Sequence, residues 1–388
     1  MSKVTVGMPY WRLSGFYFCY FAALGSLIPY WGLYLKQLGF DAVAIGELMA
    51  IPMATKIVAP YVWGWIADRL GHRMAVVRLG SLLTSIIFLG VFWLNGFWEL
   101  GLTMALFSFF WNAVLPQFEA VTFNHLGTRV DRYARIRVWG SVGFIITVLI
   151  LGIAVDLRGP AVVLPVLFGI YLSIWFSSLL IRDPDPQPHP EEQPPISTIL
   201  RKPPVIAFFL VCFLLQAGHG TYYAFFSIFM EEVGYSKTLI GQLWAIGVVA
   251  EVVVFLFMHR LLQRFGARKV LIASLFLAVL RWLLIGMFPQ QLGLLLVAQI
   301  LHAATFGTFH ASAIHLVHHY FTGRHQGRGQ ALYSSLSFGA GGAIGSLYSG
   351  FLWNSAGPAV AFGVAAAVTV VAVFIAWYWV LDELDRRH

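Results

Sequence analysis

The chain has 388 residues, enough for two soluble domains, but 59% of them are apolar, only 11% are charged and the mean hydropathy is +0.77. Soluble chains carry about 25% charged residues, so this composition excludes a soluble globular protein, a disordered chain, collagen and a nucleic-acid-binding domain. The net charge of +8 does not imply an acidic partner, because the cations sit in short connectors between apolar runs, where they set membrane orientation.

Apolar runs of about 20 residues, the length a bilayer requires, begin near Trp11, Ala44, Ala75, Phe97, Val138, Pro160, Pro203, Thr238, Val270, Leu292, Gly329 and Gly357. They predict twelve transmembrane helices and an all-α integral membrane fold. The first run has no small-residue cleavage pattern and is expected to be retained. Alternating the spans with both termini cytoplasmic places twenty cations inside and only Lys36, Arg158 and Lys237 outside. That bias is expected of a multi-pass protein in a bacterial cytoplasmic membrane. Lys56 and Arg281 are left over in mid-span. Cys19 and Cys212 both fall in apolar runs and read as packing residues.

Between spans six and seven lies "RDPDPQPHPEEQPPISTILRKPP", too rich in Pro and charge to pack, and it reads as a flexible cytoplasmic linker. The chain therefore divides into a six-helix bundle over residues 1–182, a linker over 183–202 and a second bundle over 203–388. The halves align without gaps at an offset of 195: Gly25 with Gly220, Gly39 with Gly234, Gly46 with Gly241, and Arg69, Gly71 and Arg73 with Arg264, Gly266 and Arg268. Such a duplication predicts two pseudo-symmetric bundles about an axis along the membrane normal. A polar chamber lies between them near mid-bilayer, and rocking exposes it to either side in turn.

The loop "GWIADRLGHR", Gly64 to Arg73, resembles the signature between helices 2 and 3 of the major facilitator superfamily, and "HRLLQRFGAR" resembles its weakened second copy. Within that superfamily "RVWGSVGF", "LLQAGHGTYYAFF", "GYSKTLIGQLWAIGVVAEVVVF", "RWLLIG" and "QILHAATF" resemble the phenylpropionate permease branch, proton symporters related to lactose permease. The resemblance covers most of the chain. It implies proton-coupled transport of a small organic substrate, with an aromatic monocarboxylate first among cargoes. It also implies that the span 4 carboxylate Glu119 and the span 5 Arg137 line a substrate site. Gln263 departs from the pattern, standing where the first repeat has Asp68.

Counting inward from the span ends puts Lys56, Glu251, Arg281, Asn112, Gln216, His219 and His302 within about two turns of the midplane. A charge at that depth costs on the order of 2.5–3.5 kcal/mol, so such groups pair, face the bundle interior or act in function. The offset makes Lys56 and Glu251 pseudo-equivalent with opposite charge, so Glu251 is expected to pair with Lys56 or Arg281 across the interface. In that reading Glu251 carries the proton, Arg281 and Lys56 alternate between Glu251 and a substrate carboxylate, and His302 and His219 relay protons or orient substrate. Tyr30, Tyr34, Tyr222, Tyr223 and Trp244 are candidate substrate contacts, each offering an aromatic face with a polar tip. Asp68, Arg69, Arg73 and Arg137 are assigned to gating at the cytoplasmic helix ends.

The run "HLVHH" superficially resembles a histidine box, but no second box or carboxylate ligands accompany it, and no metal or other cofactor is expected. No P-loop or nucleophile motif is present, so the chain does not read as an enzyme. The expected partners are a small molecule, protons and lipid, with no nucleic acid and a monomeric state. The competing cargoes are a neutral sugar or nucleoside, or an amphipathic drug for export.

Overall fold

The computed structural model describes residues 8–127, 129, 132–183 and 196–381, together with the backbone but not the side chain of Arg324. The flexible linker and the two termini predicted above fall mostly outside these residues. Eleven helices are long and apolar enough to cross a membrane. In chain order we number the spans α1 (Tyr10–Gln37), α2 (Ala42–Leu70), α3 (Arg73–Phe92), α4 (Phe97–Leu126), α5 (Tyr133–Arg158), α6 (Pro160–Leu179), α7 (Pro203–Val233), α8 (Lys237–Phe255), α9 (Ala267–Met287), α10 (Leu292–Tyr320), α11 (326–356) and α12 (Pro358–Trp379). α11 is α-helical over Gln326–Ser334 and Gly342–Ala356, with a π-helical stretch at Ser335–Gly341 between them.

The offset of 195 marks equivalent structure. Asp41 caps α2 by accepting from the Ala44 amide at 2.9 Å, and Ser236 caps α8 by accepting from the Leu239 amide at 3.2 Å. Gly39 and Gly234 precede these caps with φ of 90° and 102°, a conformation that disfavours any side chain. Packing repeats as well: α1 lies on α5 and α6 as α7 lies on α11 and α12, and α2 lies on α4 as α8 lies on α10. The bundles meet along α2–α11, α5–α8 and α1–α7. At two of these seams glycine permits close contact. A Cβ on Gly46 would fall 2.7 Å from the Ser346 carbonyl oxygen, and one on Gly241 would fall 2.6 Å from that of Val148.

The second copy departs from the first past α8. α2 runs unbroken into the signature loop, whereas α8 stops at Phe255 and "HRLLQRFGAR" begins on a separate short helix, Met258–Phe265. Both π-helical stretches, Ala303–Thr308 in α10 and Ser335–Gly341 in α11, also belong to the second half. The stretch in α10 packs against α8 and α9 within its own bundle, and the one in α11 packs against α2 of the first bundle and α7.

Polar contacts between the bundles cluster at the lightly charged end. Lys36 on α1 pairs with Glu231 and Glu232 on α7, each at 3.2 Å. Asp156 at the end of α5 accepts from the Lys237 and Thr238 amides at 2.8 Å and from the Thr238 hydroxyl at 2.6 Å, covering the N-terminus of α8. Asn354 on α11 donates to Asp41 at 3.0 Å. At the basic end the contacts stay within one bundle: Arg73 binds Asp68 and Gln117, both at 2.6 Å. Between the halves nearer that end, Ser335 Oγ donates to the Ile57 carbonyl at 3.3 Å. This conformation is latched at the lightly charged end.

Candidate functional site

α8 and α10 bring Glu251 and His302 together, with His302 Nε2 3.6 Å from Glu251 Oε2 and little of either side chain exposed. Gly307 lets the helices approach, since a Cβ there would lie 3.0 Å from Glu251 Cγ. The π-helical turn aligns the next residues in a column: the His302 ring stacks on Phe306 at 5.3 Å, and Phe306 on His310 at 6.1 Å. His310 Nδ1 then meets the Tyr333 hydroxyl at 2.9 Å.

The expected ion pair between Glu251 and Lys56 or Arg281 is not formed. Neither cation lies within 4 Å of a carboxylate among the described residues. Arg281 instead runs into the second bundle and is fully buried. Its Nε donates to the Ala298 carbonyl at 2.9 Å and its Nη1 to Thr305 at 3.3 Å. Its guanidinium lies 4.1 Å over the Tyr222 ring and 4.8 Å over Trp282. Carbonyl and aromatic partners thus draw it away from Glu251. Lys56 is half-buried on the side of α2 that carries the buried Pro52, Ala59 and Trp63, opposite the exposed Val58, Val62 and Trp65. It faces the interior.

In the first bundle Glu119 accepts from the Tyr133 hydroxyl at 3.1 Å. One turn along α5, Arg137 stacks 3.7 Å over Phe21 and has no carboxylate within 4 Å among the described residues. Its charge acts on Glu119 in its own bundle and on Glu251 in the other. Sequence counting had left Arg137 at the interface as a gate. The structure places it in the electrostatic neighbourhood of both interior carboxylates, because α5 begins at Tyr133 rather than Val138 and sets Arg137 within the helix.

Other assignments change role. Asn112 spends both amide hydrogens on α2, donating to the Pro52 carbonyl at 2.9 Å and to Thr55 at 2.8 Å. It ties down the helix where proline interrupts it. Tyr30 donates to the Val148 carbonyl at 2.6 Å within the α5–α8 seam, and Tyr34 packs on Trp31 at the latched end, and both side chains are buried. Trp244 donates to Ser227 at 3.0 Å, and Tyr222 donates to Gln299 at 2.7 Å beneath Arg281. Tyr223 stacks on Trp244 at 6.3 Å and stays half-buried, and Gln216 and His219 are buried on α7. At the basic end Arg69 stacks on Trp65 at 4.0 Å beside the Asp68–Arg73 pair. Sequence reasoning missed the latch residues Lys36, Glu231, Asp156 and Asn354. Charged residues clustered at span ends outside are their visible signal, but pairing across bundles is not.

Comparison with known proteins gives consistent matches. A profile described as MFS_1 like family matches residues 10–364. The "Probable 3-phenylpropionic acid transporter" of Escherichia coli is 32% identical over 371 residues, covering 92% of this chain and 95% of that protein. The "Maltose permease" of Geobacillus stearothermophilus is 24% identical, covering 93% and 92%. Among solved structures, a crystal structure of the nucleoside transporter NupG superposes with a TM-score of 0.85 at 18% identity, covering 95% of this chain and 98% of that one, which speaks to the fold alone.

Proposed function

The chain belongs to the MFS_1 like family of secondary transporters, and from that premise we propose that it is a proton symporter for a small aromatic monocarboxylate, acting by alternating access in a bacterial cytoplasmic membrane with both termini inside. One observation carries the anionic cargo: Arg137 and Lys56 face the interior without a carboxylate within 4 Å among the described residues, while Glu251 is engaged by His302. Unpaired interior cations are costly in lipid-depth surroundings, and a cargo carboxylate relieves that cost. The relative named for 3-phenylpropionic acid supports an aryl chain behind that carboxylate.

The coupling follows from competition. A carboxylate out of water holds its proton more tightly, and a nearby cation loosens it. With Glu251 protonated, Arg137 acts on one negative group fewer and binds the cargo carboxylate. When cargo leaves towards the basic end, Arg137 acts on Glu251 again and the proton departs. The latch at the other end keeps the chamber from opening both ways. Asp68, Arg69 and Arg73 tie helix ends at the mouth of the chamber.

The maltose permease relative and the nucleoside transporter fold favour one competing reading, a neutral sugar or nucleoside. Uptake into proteoliposomes separates the two. Under the anion reading, an inward proton gradient drives accumulation of 3-phenylpropionate, and Arg137→Gln weakens its binding by on the order of 30- to 100-fold. Accumulation of maltose or a nucleoside, with aryl carboxylates inert, would replace the anion reading with the neutral one.

A further inference from the structure

Arg281 presents an electrostatic problem that the transport cycle does not use. It is fully buried, it has no carboxylate within 4 Å, and its Nη2 has no partner among the described residues. Two other fully buried groups around it are in the same condition. Gln299 accepts from Tyr222 through Oε1 at 2.7 Å, which leaves its Nε2 amide unpartnered. His219 uses Nδ1 on the Leu215 carbonyl at 3.1 Å, leaving Nε2 unpartnered. The groups are neighbours: the Arg281 guanidinium lies 4.1 Å over the Tyr222 ring that binds Gln299, and its charge acts on His219. An unpaired buried polar group is destabilising, and an uncompensated buried cation more so. The unpartnered guanidinium and amide nitrogens are donors, and the walls are aromatic.

We propose that Arg281 and Gln299 form a binding site for one small monovalent inorganic anion, such as chloride, inside the second bundle and separate from the cargo chamber; His219, which donates Nδ1–H to the Leu215 carbonyl and so presents a lone pair at Nε2, is not one of its ligands. A single negative charge balances the guanidinium, whereas a divalent oxyanion would leave a net negative charge in a site with few donors. A cargo carboxylate does not qualify, because Arg281 and Gln299 are both fully buried. The bound anion acts as a resident counter-ion that holds α9 and α10 together.

Thermal unfolding of the purified full chain tests this, with chloride or bromide titrated against methanesulfonate at constant ionic strength and without cargo. The wild type should gain on the order of 3 °C in Tm, saturably, with either halide. Gln299→Glu places a carboxylate beside Tyr222 and Arg281. It should unfold at the halide-saturated wild-type temperature in both salts, with no halide dependence. Gln299→Met removes the acceptor of the Tyr222 hydroxyl as well as the amide donor, so it should unfold below the wild type in methanesulfonate and lose most of the halide response. A wild type indifferent to halide, or a Gln299→Glu variant that still responds, would overturn the site. The readout is binding without transport, so either result leaves the cargo assignment standing.

Discussion

The two bundles descend from one repeat, yet their interior charges are held in opposite ways. In the second bundle Arg281 is buried against a backbone carbonyl, Thr305 and Tyr222, and Glu251 is engaged by His302. In the first bundle Arg137 lies on Phe21 with no carboxylate within 4 Å among the described residues, and Lys56 faces the interior likewise without one. The second half thus fixes its charges and the first leaves them available. In the function proposed above, a duplicated scaffold would divide its labour in this way, one half holding the proton site and the other presenting cations to cargo, with opposite charges at the equivalent positions 56 and 251.

Removing the proton site should break this division most completely. Glu251→Gln is expected to abolish pH-driven accumulation in proteoliposomes while keeping exchange of internal for external cargo; full accumulation by that variant would take Glu251 out of the cycle. Next in size, Arg137→Gln should weaken aryl carboxylate binding by on the order of 30- to 100-fold, the loss of a charge-assisted hydrogen bond, as measured by titration calorimetry. Arg281→Lys, which lacks the planar fork, should instead lower Tm more than it changes affinity, if Arg281 serves the bundle rather than the cargo.

A smaller effect is expected at the latch. Asp156→Ala removes three hydrogen bonds across the α5–α8 seam and should shift the population towards opening at the lightly charged end by on the order of 10-fold. Distances between spin labels on the α1–α2 and α7–α8 connections would report it, and an unchanged distribution would mean that the Lys36–Glu231–Glu232 cluster suffices alone. The smallest change is predicted for Asn112→Leu, which should lower Tm by a few degrees through α2 and leave cargo affinity unaltered.

The span count and the duplication were legible in the sequence because both rest on local quantities, run length and a constant offset. Burial was legible too, since Arg281, His302 and His219 are buried and Glu251 is half-buried. Pairing was not. Whether a long side chain at a given depth turns towards the seam or into its own bundle depends on what it can hydrogen-bond there. Ala298, Thr305 and Tyr222 captured Arg281, which no periodicity reveals. Arg137 was misjudged because helix starts are uncertain by a few residues, and α5 begins five residues before the apolar run suggested. The roles of Asn112 and Tyr30 depend on the backbone of a neighbouring helix, at Pro52 and Val148, which lies beyond the reach of residue chemistry read in one dimension.

The competition between cargo and proton is tested most directly by measuring proton uptake when 3-phenylpropionate is added to the purified protein in weakly buffered detergent near neutral pH. Cargo that occupies Arg137 should leave Glu251 to take up a proton, giving alkalinisation that saturates with binding in the wild type and is absent from Glu251→Gln. Binding without proton uptake in the wild type, or equal uptake in the variant, would contradict the mechanism.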